Sequence, residues 1–373
     1  MRMNTIPLGR ILGIPIGLDP SWFLIFVLIT WMLASSYFPS EFKSWPAVQY
    51  WIVGAATTIL FFTSVVLHEL GHSILALRYK IPVTSITLYI FGGIARIASE
   101  PPSAVAEFFI AIAGPLTSFA LAAIFGLLEG VSASVIPLFA MVKYLAYING
   151  VLALFNLIPG FPLDGGRVFR AVVWSITHNL RRATEIAATL GRVVAFLFIL
   201  YGAWQVLQGN WANGLWIAFI GWFLENAAVG QVQQQRLHDL LAGHTVAQAM
   251  SRSCAIAPVD LTLQELTDRH ILGEGHRCLM LTRDEEIAGL LTLHQVREVP
   301  RDRWRTVTAG DVMTPISKMK RIKPEVGLED ALGEMGINGV NQLPVMNNGH
   351  IEGMLSREDI INYLRSLQTL SDM

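Results

Sequence analysis

Long apolar stretches, separated by short polar ones, dominate the first 230 residues. Six windows reach the roughly 20 mostly apolar residues that a spanning helix needs. They run over about 20–38, 48–77, 104–128, 136–158, 183–207 and 211–230. Two intervening segments follow a different period. Ile11 to Leu18, punctuated by Gly and Pro, reads as a short strand pair ahead of the first span. Val83 to Ser99, rich in Ile, Thr, Val and Tyr, is split by Gly92-Gly93 and reads as strand, turn, strand. Lying between two spans, it must dip into the bilayer or rest against it, where such backbone persists only against protein or a cavity. A plain surface hairpin is the alternative. From Glu225 to Gly243 the chain turns Gln-rich and keeps a helical pattern, a linker out of the membrane.

Two similar units follow, about 60 residues apart. Each opens on a Met-containing turn, Gln248-Ala-Met250-Ser and Asp311-Val-Met313-Thr-Pro, and continues as strand, amphipathic helix, two strands, helix. A repeat of this kind predicts a pair burying one shared interface. The expected architecture is an α-helical polytopic membrane protein with a small membrane-associated β element over 1–230. A helical linker covers 231–243, and an α/β repeat pair covers 244–373, its halves at 244–300 and 308–370.

Composition sharpens the division. Apolar residues make up 53% of the 373, charged residues only 15%, and mean hydropathy is +0.49. An average soluble protein carries about 25% charged residues. The first 230 residues hold 12 Lys/Arg and 9 Asp/Glu; the remaining 143 hold 15 and 19. A single soluble globular enzyme, a disordered chain and a secreted disulfide scaffold are excluded. Neither the +3 of the first part nor the −4 of the second suggests nucleic-acid binding.

Charge also gives orientation. Arg2, Arg10, Arg78, Lys80, Arg96, Arg167, Arg170, Arg181, Arg182 and Arg192 fall on one side of a six-span count, against Lys43 and Lys143 on the other. Basic loops face the cytoplasm, so both termini are expected there, most simply in the cell membrane. The N-terminus lacks a cleavable signal, and the first span is expected to stay as an anchor. The two cysteines, Cys254 and Cys278, carry no pairing signal and fit a reducing compartment.

The strongest chemical signal is His68-Glu69-Leu70-Gly71-His72, inside the second window. Residues i and i+4 share a helix face, so both imidazoles can ligate one metal, and Glu69 can reach a water on that metal. His68 and His72 are the only histidines in the first 177 residues. An ionisable group at hydrocarbon depth costs at least ~2.5 kcal/mol, which marks a functional site by default. The alternative is three polar residues satisfying one another inside a bundle. A catalytic zinc takes three protein ligands and keeps one position open. The position ten residues after His68 is Arg78, so a third histidine is not supplied there. Asp164 is the acid best placed to serve: it closes the fourth window in Asn156-Leu-Ile-Pro159-Gly-Phe-Pro162-Leu-Asp164-Gly165-Gly166, toward the same end as the histidines. Capping of the following helix is its alternative role.

Together with Phe91-Gly92-Gly93 and Ala113-Gly114-Pro115, these motifs resemble the site-2 proteases, zinc metalloproteases that cut helices within the membrane. The resemblance covers all six spans, and the C-terminal repeats resemble the cystathionine-β-synthase-type (CBS) domains of one branch of that family. It implies zinc on His68, His72 and Asp164, with Glu69 as general base. Asn156 matches the family's motif asparagine and is the candidate oxyanion donor, an interhelical hydrogen bond being its alternative. An unwound substrate would be held by strand addition near Phe91, Gly92 and Gly93. Ser118 stands where many relatives carry asparagine, and little consequence is expected. Implied substrates are single-span regulators, such as anti-sigma factors or membrane-tethered transcription factors.

CBS pairs commonly bind adenine nucleotides such as ATP or AMP. The second repeat keeps the family's motif as Gly353-Met-Leu-Ser356-Arg357-Glu-Asp359, with Asp359 for the ribose and Arg357 for phosphate. The first has Gly289-Leu-Leu-Thr292-Leu-His-Gln295, with glutamine in place of the carboxylate, so at most one strong site is expected. A purely dimerising or docking pair is the alternative. Two other functions fit parts of the pattern. A CBS-gated channel or transporter would need inverted repeats in the spans, which are not apparent. A catalytically idle substrate binder would not need Glu69 and all three ligands.

Overall fold

The computed structural model describes residues 5–90, 92–97, 99–252, 255–273, 278–283, 286–347 and 350–371. The chain divides into two units, residues 3–235 and residues 236–373.

In the first unit a hairpin of β1 (Ile6–Ile11) and β2 (Ile14–Leu18) precedes the helices. Six helices among the described residues are long and apolar enough to cross a membrane. They are α1 (Trp22–Glu41), α2 (Ala47–Arg78), α3 (Ala104–Ser132), α4 (Ile136–Asn156), α6 (Leu180–Leu207) and α7 (Trp211–Leu241). A shorter helix, α5 (Asp164–Thr177), lies between α4 and α6. α7 continues past the sixth span into the expected linker as far as Leu241.

Capping explains several boundaries. Ser103 accepts from the Ala106 amide at 3.2 Å to open α3, and Asn179 accepts from the Arg182 amide at 3.0 Å to open α6. His178, at φ 52°, ends α5 in a left-handed turn.

The strand between α2 and α3 is a hairpin of β3 (Val83–Tyr89) and β4 (Gly92–Ile97). It joins the N-terminal hairpin in a four-stranded sheet of order β1-β2-β3-β4, with β2 and β3 parallel. The N-terminal strand pair is longer than the pattern suggested. Pro7 and Gly9 look like strand breakers, but a bulge at that point, with Gly9 at φ 146°, absorbs them. The glycine pair also differs from expectation. Gly92 and Gly93 belong to β4 rather than to the turn, paired with Tyr89 and Leu88. Ile14, Ile16 and Ile86 of the sheet pack on Leu70 of α2, which sets the sheet against the helix that carries both histidines.

The second unit contains the sheet β5-β6-β7-β8 (Ala255–Pro258, Cys278–Arg283, Glu286–Thr292, Thr314–Pro315). It also contains helix α8 (Leu328–Asn338), the hairpin β9 (Gln342–Asn347) with β10 (His350–Ser356), and helix α9 (Arg357–Ser371). The two halves match strand for strand: Ile322 bridges Val345 as β5 pairs β6, and Ser251 bridges Met354 as β8 pairs β7. Each repeat's opening turn therefore packs in the other repeat. Val246 and Met250 join the core of Leu343, Val345 and Leu355, while Ala309, Val312 and Met313 pack with Leu279, Leu281 and Leu291. Met280, Leu290 and Met354 form a smaller buried cluster between the halves.

This exchange gives the paired glycines a structural role. A Cβ on Gly289 would lie 2.5 Å from the Thr314 carbonyl oxygen, and one on Gly353 would lie 2.6 Å from that of Ser251. Both positions let the other repeat's strand cross closely.

Candidate metal centre

His68 and His72 lie on one face of α2, both buried. Asp164 arrives from elsewhere. The fourth span ends at Asn156 rather than at Asp164, and a tightly packed loop leads into α5, whose first residue is Asp164. Glycine permits that packing: a Cβ on Gly165 would lie 2.4 Å from the Leu157 carbonyl carbon, and one on Gly166 would lie 2.3 Å from that of Gly160. Asp164 is thus the first residue of a helix but not its cap: Leu163 holds the N-cap position without a side-chain hydrogen bond, and the Asp164 carboxylate turns to the histidines.

The three donor atoms converge. Asp164 Oδ2 lies 3.0 Å from His68 Nε2 and 3.2 Å from His72 Nε2, and the two Nε2 atoms are 3.3 Å apart. Zinc bonds of about 2.0–2.2 Å at tetrahedral angles place ligand atoms about 3.3–3.6 Å from one another, so the triangle is within a few tenths of an ångström of one zinc face. Among the described residues this is the cluster able to hold a metal ion. The opposite ring nitrogens are committed elsewhere. His72 Nδ1 donates to the Ile110 carbonyl at 2.7 Å, and His68 Nδ1 lies 2.9 Å from Ser118 Oγ. With Nδ1 so engaged, both Nε2 lone pairs and the carboxylate face one point, an arrangement that a cation satisfies.

α3 shapes the floor of this site. A Cβ on Gly114 would lie 2.1 Å from His72 Nε2 and 2.6 Å from His68 Nε2. Pro115 follows, where it leaves a carbonyl without its helical amide. Glu69, beside the first ligand, is half-buried under β4. A Cβ on Gly93 would lie 2.6 Å from its Cγ and 3.1 Å from Oε1. The Ala95 amide is also within hydrogen-bonding reach of its carboxylate.

Ser118, where many relatives carry asparagine, has a defined place beside the histidines. It is fully buried, and it is the hydroxyl that orients His68. Outer partners of this kind are worth about 10–100-fold in metal affinity. Zinc competition titration of Ser118→Ala is expected to show a loss in that range, with Ser118→Asn restoring most of it.

The remaining sites are less closely assembled. Asn156 is half-buried in the last turn of α4. Sequence reasoning missed Asn149, two turns earlier and fully buried. Its Nδ2 donates to Leu145 O at 2.8 Å and to Ser64 Oγ at 3.3 Å, while Oδ1 has no hydrogen-bond partner among the described residues. An asparagine in the middle of an apolar helix was the available signal. Gly92, at φ 123°, requires glycine, and Phe91 lies outside the described residues. In the second unit Ser356 and Asp359 are bonded to each other. The Ser356 amide donates to Asp359 Oδ2 at 2.8 Å, and the Asp359 amide donates to Ser356 Oγ at 3.0 Å. Together they cap α9, with Arg357 exposed beside them. Gln295 instead donates to Thr314 Oγ1 at 2.7 Å.

Residues 56–136 and 127–200 match Peptidase family M50, and residues 309–366 match the CBS domain. Over 363 residues the chain is 36% identical to a Mycobacterium tuberculosis protein named "Putative zinc metalloprotease Rip3", covering 96% of this chain and 92% of the relative. It is 32% identical over 366 residues to "Putative zinc metalloprotease sll0528" of Synechocystis, covering 97% and 96%. Among solved structures it is similar to the "Site-2 Protease from Methanocaldococcus jannaschii". Identity there is 30%, over 61% of this chain and 95% of that one, with a TM-score of 0.43.

Proposed function

The chain belongs to Peptidase family M50, the site-2 proteases, and from that premise we propose that it cuts the membrane-spanning helices of single-span regulatory proteins, using one zinc ion and Glu69 as general base. It is a multi-pass membrane metalloprotease. The observation that carries the finer reading is the ligand triangle of His68, His72 and Asp164, with Glu69 at its side. Zinc, when bound there, supplies a Lewis acid that brings the pKa of a coordinated water to about 7 and polarises the scissile carbonyl.

The chain's own groups do the rest. Glu69 takes the proton of the attacking water and returns it to the departing amine. Ser118 and the Ile110 carbonyl hold the two imidazoles in one orientation. Asn156, at the end of α4, is the proposed donor to the oxyanion. A helical substrate must unwind to offer its peptide bond. β4 is an edge strand of the described sheet, and its Gly93 brings main chain against Glu69. That placement supports capture of an extended substrate by main-chain hydrogen bonds along Gly92 and Gly93, and Phe91, outside the described residues, is proposed to bind substrate with them. Anti-sigma factors and membrane-tethered transcription factors are the proposed substrate classes, cleaved from the cytoplasmic side, where both termini lie. Purified chain in liposomes with a candidate single-span substrate tests this directly. Cut sites mapping to the extracytoplasmic third of the substrate helix would overturn the orientation.

The repeat pair over 244–373, with halves at 244–300 and 308–370, is proposed to bind one adenine nucleotide, ATP or AMP, and to offer a surface for homodimers. Asp359 is the one carboxylate in the ribose position of the two repeats. Because it also caps α9, Asp359→Asn is the informative variant: it keeps an acceptor for the Ser356 amide and removes the charge. Calorimetry on the full chain is expected to show AMP or ATP binding in the wild type and at least a tenfold loss in Asp359→Asn. Absence of binding to the wild type at millimolar nucleotide would leave the pair as a docking or dimerising module.

A further inference from the structure

Away from the metal triangle, the first unit buries an ion pair that no step of the reaction uses. Glu107, in the first turn of α3, is fully buried, and Arg170 of α5 is 4% exposed. Arg170 Nε donates to Glu107 Oε1 at 2.6 Å, and Nη2 also contacts that oxygen. The same guanidinium reaches Glu100 Oε2 at 3.2 Å and Thr184 Oγ1 at 3.4 Å, and stands 5.3 Å over the Phe161 ring. Arg167 Nε is 3.9 Å from Glu107 Oε1, and among the described residues Glu107 Oε2 has no hydrogen-bond partner.

A buried pair of this kind is poor value as a source of stability, because desolvation offsets the attraction and an apolar pair of similar volume often serves as well. Its position suggests another role. α3 contributes no metal ligand, yet it contacts the elements that carry all three. Ile110 O holds His72, Ser118 holds His68, and Glu107 holds, through Arg170, the helix whose first residue is Asp164. Arg170 also pins Phe161, three residues ahead of Asp164. Among the described residues the third ligand has no hydrogen bond of its own to α3, and the ion pair is the buried polar contact between its helix and the helix that sets the other two.

We propose that Glu107 and Arg170 are positioning residues that hold Asp164 in register with His68 and His72, so that the pair serves metal retention rather than fold stability. This rests on the reading of those three residues as zinc ligands. The guanidinium is the suitable group, since its planar fork fixes direction as well as charge, which an ammonium does not.

The test separates retention from stability. Full-length wild type, Glu107→Gln, Arg170→Lys and the double variant Glu107→Leu/Arg170→Met are loaded with zinc, and release into excess chelator is timed. The melting temperature of each is then measured after zinc is stripped. Release from all three variants is expected to be about 10–100-fold faster than from wild type. The stripped double variant is expected to melt within about 3 °C of the stripped wild type. Wild-type release from the double variant would overturn the proposal, as would faster release only in variants whose stripped form melts lower. If the double variant does not fold, Arg170→Lys, which keeps the charge and loses the fork, decides by the same readout. A wild type that retains no zinc at all would instead overturn the ligand assignment on which the proposal stands.

Discussion

Glu69→Gln is expected to keep one zinc per chain and to lose peptide-bond cleavage by about 10²–10⁴-fold, the usual contribution of a positioned general base. The argument lies in the division of labour around the triangle. Zinc is held by two imidazoles and one carboxylate, none of them Glu69. The Glu69 side chain is packed beneath Gly93, and glutamine has almost its volume, so the substitution leaves that packing intact. What disappears is the capacity to accept a proton and return it. His68→Ala, His72→Ala and Asp164→Ala should behave oppositely, losing the metal and, with it, the activity. Metal analysis of purified variants alongside a cleavage assay checks both halves. Full activity in Glu69→Gln would remove it from the role of base, and zinc loss in that variant would make it a ligand.

The six spans were legible because length and hydropathy suffice to identify a helix that crosses a membrane. The helical pattern after the last span continues that of the span itself, and α7 runs on to Leu241. α5 was not. It is only 14 residues long, begins in a run of glycine and carries two arginines, so it looks like a loop. Overlooking α5 made Asp164 the end of a span rather than the start of a helix, although the chemistry of the motif still singled it out. The buried Glu107 was hidden for a related reason. A glutamate beside a loop reads as solvated, and its burial depends on Arg170, 63 residues away in a helix that was not expected. The repeats were visible in their own sequence, but the exchange of their opening turns was not. Such pairing is decided by contacts such as Ser251 with Met354 and Leu290 with Thr314, which no local pattern encodes. Ser118 shows the same limit, since its identity was plain and its partner was not.

Gly114→Ala is expected to empty the metal site while leaving the helices folded. The methyl carbon it adds would lie 2.1 Å from His72 Nε2 and 2.6 Å from His68 Nε2. A methyl group that close to both nitrogens would overlap the imidazole edges themselves, so the two rings could not keep the arrangement in which they would hold one ion. The imidazoles have little room to retreat. Ile110 O and Ser118 hold their other nitrogens, and α2 and α3 are already in close approach, with a Cβ on Gly71 only 2.9 Å from the Ala113 carbonyl oxygen. Within a helix, alanine is otherwise favoured over glycine by roughly 1 kcal/mol, so backbone preference does not predict a loss. Gly126 supplies the control. It lies on the same helix with nothing within 4 Å of its would-be Cβ, and Gly126→Ala should keep full zinc and activity. Zinc content below a tenth of wild type in Gly114→Ala, with unchanged helix content by circular dichroism, is the expected result. One zinc per chain with normal turnover in that variant would mean that the metal does not sit between these two nitrogens.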